Sequence, residues 1–201
     1  FHTWAPEIYQ GAPTPVAAYL GVVSKTAGLV MLIRIVYNGF YGASMGNHSV
    51  DDALFQSIAL LAAAAMIIGN TAALRQANMK RLLALSATAN SGYLLVPVAL
   101  QYSPVHTSNM TELYFYLTAY MFMTIGAFAV LTSVSQSKGQ ERLTSFAGLY
   151  YRAPFTAGAM LIFILSLAGL PLSAGFIGKF YILAGSLQMH AYWLAAVMIL
   201  T

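Results

Sequence analysis

Long apolar stretches separated by short polar ones run along most of this chain. Each stretch has about 20 residues, the length an α-helix needs to cross roughly 30 Å of hydrocarbon. The pattern predicts an all-α fold, a polytopic membrane helix bundle. The predicted spans lie near 15–37, 53–74, 82–101, 112–134 and 154–187, the last one broken, with a further helix starting over 190–201. Residues 1–14 are too polar and proline-rich to begin a span, and they predict a half-membrane segment that ends in a turn.

The charges between the predicted spans alternate. Residues 75–81 and 135–153 together hold six of the nine Lys and Arg residues, whereas 38–52 and 102–111 hold none. Basic loops stay on the cytoplasmic side of a membrane. The alternation therefore predicts a multi-pass protein of the cell (inner or plasma) membrane whose loops 75–81 and 135–153 are cytoplasmic.

Composition supports the membrane class and excludes several functions. The chain is 59% hydrophobic and 7% charged with a mean hydropathy of +0.71, whereas soluble domains carry about 25% charged residues. The basic residues are scattered and form no basic face, so we expect the lipid bilayer and no nucleic acid as a partner. Without cysteine there is no disulfide, iron–sulfur cluster or thiolate-held zinc. No phosphate-binding loop is visible, and we expect neither a cofactor nor a metal in this chain.

The two ends predict an interior piece of a longer protein. The chain begins with Phe1 rather than Met and has no signal-peptide pattern. It ends within the apolar run "YWLAAVMILT".

Lys25 and Arg34 lie within the first predicted span. Lys25 is about eleven residues from either end of that span, close to the middle of the bilayer at 1.5 Å of rise per residue. A lysine at that depth costs about 2.5–3.5 kcal/mol on insertion scales, and an ionisable residue there indicates function. Arg34 lies nearer the interface, which its long side chain can reach. The alternative for Lys25 is a buried structural ion pair.

A second intramembrane lysine follows a break in "LAGLPLSAGFIGKFYIL". Gly169, Pro171 and Gly175 interrupt the apolar run before Lys179, because proline removes a helical hydrogen bond and clashes with the preceding turn. Non-helical backbone at membrane depth faces protein or a water-filled cavity, and transporters place ion sites at such breaks. The alternative is a kink that serves packing, with a lysine that reaches the interface.

These two lysines predict proton translocation. Burial disfavours the charged form of a lysine, so such a group can exchange its proton when a neighbouring charge moves. Two of them on separate helices of one bundle predict a relay. The four His residues are scattered and no paired carboxylates are present, so nothing in the pattern indicates bond cleavage.

Three segments resemble a known family: "FHTWAPEIYQGAPTPVAAYLGVVSK", "NMKRLLALSATANSGYLLV" and "AGLPLSAGFIGKFYIL". They are similar to the antiporter-like membrane subunits of bacterial-type NADH–quinone oxidoreductase (respiratory complex I), and "YQGAPTPV" followed by "SK" resembles subunit N in particular. The resemblance extends over the whole chain. It implies a fold of two inverted repeats, each with one broken helix.

The resemblance assigns places and roles in that fold. Residues 1–12 would be the second half of the first broken helix, and 154–187 would be the second broken helix. Lys25 would be the mid-membrane lysine of the helix that follows the first break. Lys179 would be the lysine of the second broken helix, at the exit side of the proton path.

One position departs from the family pattern. Asn90, in "LSATANSGYLL", stands where the family usually has His. Asparagine forms hydrogen bonds and holds water but does not titrate, so we expect a water chain there instead of a direct proton hop at this residue. The candidate polar relay consists of Asn90, Ser86, Thr88, Ser91, Tyr120 and Thr124.

Three functions remain open. The resemblance implies a proton-translocating subunit of the enzyme NADH:quinone oxidoreductase, with NADH, flavin, iron–sulfur clusters and quinone in partner subunits and no redox chemistry in this chain. The partners would be the other membrane subunits of complex I. The second function is that of a related cation/proton antiporter subunit of the Mrp-like kind. The third is a structural scaffold, in which Lys25 and Lys179 form fixed ion pairs with acidic residues of neighbouring chains.

Overall fold

The computed structural model describes residues 4–40, 44–45, 48–100, 109–139 and 141–201. Nearly all of this is helical, which confirms the all-α class; the exception to note is a two-residue antiparallel pair, β1 (Ser44–Met45) with β2 (His48–Ser49). The α-helices are α1 (Ala5–Gly11), α2 (Thr14–Tyr19), α3 (Lys25–Ile35), α4 (Val50–Ala73), α5 (Met79–Ala99), α6 (Asn109–Lys138), α7 (Leu149–Arg152), α8 (Pro154–Ala168), α9 (Ala174–Gln188) and α10 (Tyr192–Leu200).

Four helical stretches are long and apolar enough to cross a membrane. In the described residues they are Thr14–Phe40, Asp52–Ala73, Met79–Ala99 and Asn109–Ser137. The first is not α-helical throughout, because a π-helical turn over Leu20–Ser24 joins α2 to α3 and a second, Val36–Phe40, follows α3. Such turns are frequent at functional sites, and no sequence feature noted above indicated them.

Helix α6 extends to Lys138, about one turn beyond the predicted end of its span at 134. Polar side chains in this part of α6 bond to its own backbone: Thr132 Oγ1 donates to the Phe128 carbonyl at 2.8 Å and Ser137 Oγ to the Val134 carbonyl at 2.9 Å. The loop predicted to begin at 135 is therefore partly helical. The predicted loop 102–111 lies mostly outside the described residues.

The two predicted basic loops meet at one end of the bundle. The Met79 amide donates to the Glu141 carbonyl at 2.8 Å, and the Leu143 amide donates to the Ala77 carbonyl at 3.0 Å. Asn78 caps the start of α5, where its side chain accepts from the Lys80 amide at 2.9 Å. The start of α5 and the segment after α6 are thus joined by backbone hydrogen bonds.

Small residues allow close packing in the interior. A Cβ at Gly69 of α4 would lie 2.7 Å from the Ala89 nitrogen of α5, and one at Gly92 would lie 2.7 Å from the Ala62 carbonyl oxygen. Such contacts are typical of membrane helices, whose association depends on van der Waals packing. Helices α5 and α6 contribute to both hydrophobic clusters, one with α4 and α10 and the other with α1 and α8.

The helix that was predicted to be broken is two helices. α8 ends at Ala168 and α9 begins at Ala174, and Gly169, Pro171 and Ser173 lie in the segment between them. The prediction that Gly175 interrupts the helix was wrong, because Gly175 is the second residue of α9. Gly169 has φ +85°, a left-handed conformation that suits glycine at a helix C-terminus. Ser173 caps α9 by accepting from the Phe176 amide at 3.2 Å.

Candidate functional site

Lys179 lies on α9 and reaches back to the end of α8. Its Nζ donates to the Leu167 carbonyl at 3.1 Å and to the Ala168 carbonyl at 3.4 Å. The last four carbonyls of a helix have no partner within that helix, and the helix dipole places partial negative charge there. The break therefore provides backbone acceptors for an ammonium group that has no acidic residue near it in sequence.

The ring of Tyr93 on α5 completes the surroundings of Lys179. The ammonium nitrogen lies 4.4 Å from the ring centroid, which is within the range of a cation–π interaction. Gly169 closes the other side, since a Cβ there would lie 3.1 Å from Lys179 Cδ and 3.5 Å from its Nζ. Lys179, the helix break at Gly169 and the ring of Tyr93 therefore form one site.

Gly175 allows α9 to start against the end of α8. Its amide donates to Ser166 Oγ at 3.3 Å, and a Cβ at Gly175 would overlap the Ser166 carbonyl oxygen. Any larger residue would separate the two half-helices and so move Lys179 away from its carbonyl partners.

Lys25 is the first residue of α3, directly after the π-helical turn. Its Nζ is buried and finds no hydrogen-bond partner among the described residues. One turn earlier, the Gly21 carbonyl accepts a hydrogen bond of 3.1 Å from the Tyr120 hydroxyl of α6. The methyl group of Thr124, also on α6, lies 3.4 Å from where a Cβ on Gly21 would be. Tyr120 and Thr124, both predicted relay positions, thus lie beside the turn that precedes Lys25.

Asn90 has a direct side-chain partner that the sequence did not suggest. It is 2% exposed, its Oδ1 accepts from the Tyr116 hydroxyl of α6 at 2.6 Å, and its Nδ2 donates to Ser86 Oγ at 3.3 Å. Thr88 and Ser91 instead bond to the carbonyls of Ala84 and Ala87, one turn back on their own helix. Of the predicted polar positions on α5, Ser86 and Asn90 are joined, while Thr88 and Ser91 bond to the backbone.

Tyr116 connects this polar group to the broken helix. A Cβ at Gly178 of α9 would collide with the Tyr116 ring, so that ring packs against the residue next to Lys179. Tyr116 and Tyr120 are four residues apart and share one face of α6. This spacing was visible in the sequence and could have identified Tyr116 from Tyr120.

Neither lysine has an acidic partner among the residues that the structure describes. The ion pair observed there joins Lys80 to Glu141. In the same part of the chain, no three His, Asp or Glu side chains gather as metal ligands would. The acidic partners that the scaffold hypothesis places in neighbouring chains are thus not supplied by the described part of this chain.

A bundle of membrane-length helices with a discontinuous helix and a lysine on each of two apolar helices, α3 and α9, is typical of an antiporter-like membrane protein. The model of the NADH:quinone oxidoreductase/Mrp antiporter transmembrane family matches residues 1–201. The chain belongs to this family.

Among similar proteins, NADH-quinone oxidoreductase subunit N of Paenibacillus sp. (strain JDR-2) is 52% identical over 203 residues, which cover 100% of this chain and 39% of that protein. Subunit N of Geobacillus sp. (strain WCH70) is 50% identical over 206 residues, again 100% of this chain and 41% of the relative. The chain thus spans about two fifths of the length of these relatives.

Solved structures show the same fold. Respiratory complex I from Thermus thermophilus with bound aureothin contains a chain that matches with a TM-score of 0.80 and 35% identity, covering 100% of this chain and 41% of that one. The Mrp complex from Dietzia sp. DQ12-45-1b matches with a TM-score of 0.68 and 28% identity, over 75% of this chain and 27% of that one.

Proposed function

We propose that this chain is part of a proton-translocating membrane subunit of NADH–quinone oxidoreductase. Its protons would pass through a buried relay that includes Lys25 and Lys179. Electron transfer among NADH, flavin, iron–sulfur clusters and quinone would occur in partner subunits, with the neighbouring membrane subunits of the complex as partners. The protein would lie in the cell membrane with loops 75–81 and 135–153 facing the cytoplasm.

One observation carries this proposal most strongly: the Lys179 ammonium group on the carbonyls that the helix break leaves free. Among the described residues, the Lys179 amine contacts backbone carbonyls and a ring and has no fixed counter-ion. Its bonds to Leu167 and Ala168 depend on the positions of α8 and α9. A small movement at the break would therefore change how firmly the proton is held, which is what coupling to a conformational change requires.

Lys25, in contrast to Lys179, has no hydrogen-bond partner among the described residues. Its ammonium group is buried without a hydrogen-bond partner in the described part of the chain, so its charged form is poorly stabilised. Such a site readily passes a proton to a better-stabilised one. Buried polar groups on α5 and α6 lie between the two lysine-bearing regions. The Tyr120 hydroxyl bonds to the turn that precedes Lys25. The Tyr116 hydroxyl bonds to Asn90, and its ring packs against the residue next to Lys179.

A cation/proton antiporter is the second candidate, favoured by the similarity to the Mrp complex. The higher identity and complete coverage in the comparison with respiratory complex I favour the first candidate. The test uses the full-length protein in its intact complex, reconstituted in vesicles. NADH-driven proton uptake that is independent of Na⁺ supports the complex I function. Proton movement that needs a Na⁺ gradient and no NADH contradicts it and supports the antiporter.

A further inference from the structure

Lys80 is buried although it follows a short basic loop. Its side chain is 5% exposed, and its Nζ forms an ion pair of 2.5 Å with Glu141 Oε1. The same Nζ donates to the Ala12 carbonyl at 2.8 Å. The positive-inside pattern explains a lysine that stays in water, and Arg75 in the same loop is indeed exposed. Lys80 therefore has a role that orientation in the membrane does not explain.

The Lys80 ammonium group joins three separate segments. Ala12 follows α1, Lys80 lies in the first turn of α5, and Glu141 lies after α6. Glu141 is held on both sides, since its carbonyl accepts from the Met79 amide at 2.8 Å and its carboxylate accepts from Thr14 Oγ1 at 3.5 Å. Glu141 is thus fixed in place, and through Lys80 it fixes the turn between α1 and α2.

Helix α1 depends on this contact at its C-terminal end. Ala12 is the residue that caps the C-terminal end of the helix, and its carbonyl accepts no hydrogen bond within the helix. A cation near the C-terminus is also favourable to the helix dipole. A helix of seven residues is too short to be stable by itself in water, so its position is set by what holds its ends and its buried face.

The buried face of α1 reaches the turn before Lys25. Tyr9 is 1% exposed and its ring lies 6.2 Å from that of Phe128 on α6, centroid to centroid. Its hydroxyl lies 3.5 Å from where a Cβ on Gly21 would be. Gly21 belongs to the π-helical turn that leads into Lys25 and accepts the Tyr120 hydrogen bond. A displacement of α1 would therefore change the packing of Tyr9 against that turn.

We propose that Lys80 and Glu141 are positioning residues for Lys25. Together they hold the C-terminal end of α1, which keeps Tyr9 packed against the π-helical turn and so sets the place of the Lys25 ammonium group. This inference depends on the proposed function, in which Lys25 carries protons. It assigns no proton-carrying role to Lys80 or Glu141 themselves.

The test measures protons moved per electron pair by the intact complex in vesicles. Lys80→Met and Glu141→Gln each leave a buried charge or polar group without its partner. We therefore expect both variants to move fewer protons per electron pair than wild type, approaching the value of Lys25→Ala. Lys80→Arg retains a cation with several donors, and we expect it to keep most of the ratio. Arg75→Met removes an exposed charge from the same loop and should match wild type.

The double variant Lys80→Met with Glu141→Gln separates positioning from assembly. Replacing both members of a buried ion pair is far less harmful than removing one, so the complex should assemble while the end of α1 stays unheld. We expect its proton ratio to stay low with electron transfer preserved; a wild-type ratio would overturn the proposal. If the double variant does not assemble, Tyr9→Ala provides the same test, because it removes the contact with the turn and leaves the ion pair in place. A wild-type ratio for Tyr9→Ala would overturn the proposal equally.

The reference variant Lys25→Ala distinguishes a failure of the proposed function of Lys25 from a failure of the positioning role of Lys80 and Glu141. If Lys25→Ala pumps as wild type, the proposed function of Lys25 fails, whatever the Lys80 variants do. If Lys25→Ala loses pumping and the Lys80 variants do not, the positioning role alone fails.

Discussion

The Tyr116 hydroxyl of α6 donates a hydrogen bond of 2.6 Å to the side-chain oxygen of Asn90 on α5, and both residues are buried. This bond joins two central helices where the sequence predicted a water chain held by Asn90. The Tyr116 ring also packs against Gly178, next to Lys179. The pair therefore couples the middle of α5 to the broken helix.

Removing the hydroxyl with Tyr116→Phe leaves the Asn90 oxygen buried without its donor. An unsatisfied buried polar group costs about 1–3 kcal/mol, so the purified complex should inactivate at a lower temperature than wild type. Tyr114→Phe is the matched control, because Tyr114 lies on the same helix and is 55% exposed. Equal thermal inactivation of Tyr116→Phe and Tyr114→Phe would show that the bond contributes nothing.

Gly175→Ala should prevent the two half-helices from meeting. The added methyl group would overlap the Ser166 carbonyl oxygen, which is backbone and cannot move aside as a side chain can. We expect a strong reduction in the amount of assembled complex, measured on native gels. Gly158→Ala, in α8, is the control: a Cβ there meets nothing within 4 Å, and alanine favours a helix by about 1 kcal/mol over glycine. Normal assembly of Gly175→Ala would contradict the packing described here.

Gly169→Ala should affect proton movement more than assembly. A residue with a side chain in the left-handed conformation costs about 1–2 kcal/mol, and Gly169 has φ +85°. The new methyl group would also lie 3.1 Å from Lys179 Cδ and push that side chain. The expected result is a complex that oxidises NADH with fewer protons moved per electron pair. An unchanged ratio would mean that the place of the Lys179 side chain at the break is not critical.

Lys25→Met should separate stability from function. The Lys25 amino group is buried with no partner in the described chain, so its removal eliminates an unsatisfied polar group and leaves none behind. We therefore expect the resistance to thermal inactivation to stay equal or rise while pumping falls. A marked loss of stability would instead reveal a partner for Lys25 elsewhere in the complex.

The helical architecture could be predicted from the sequence because it depends on patterns that extend over many residues. Apolar stretches of membrane length and alternating loop charges predict a helix bundle, and the Gly169 to Pro171 segment predicts a break because proline cannot continue a helix. To recognise these patterns one needs only the composition of successive segments of the chain and the covalent structure of proline.

The side-chain contacts of the site could not be predicted from such patterns. The ion pair between Lys80 and Glu141 joins residues 61 positions apart in the sequence, and Lys80 carries the same local signal as an exposed loop lysine. The π-helical turn before Lys25 lies over Leu20–Ser24, and no local pattern in those residues predicted it. The same holds for Tyr116, whose importance comes from the helices on either side of it.

The most direct test of the central claim is the proton-to-electron ratio of the intact complex in vesicles with Lys179→Ala beside wild type. We expect that the ratio falls while the complex still assembles and NADH oxidation continues, or that both activities collapse together with assembly intact. Lys179→Arg, which keeps the charge but cannot readily release its proton, should also fail to pump. Wild-type pumping and electron transfer in Lys179→Ala would contradict the relay and leave the break as a feature of packing alone.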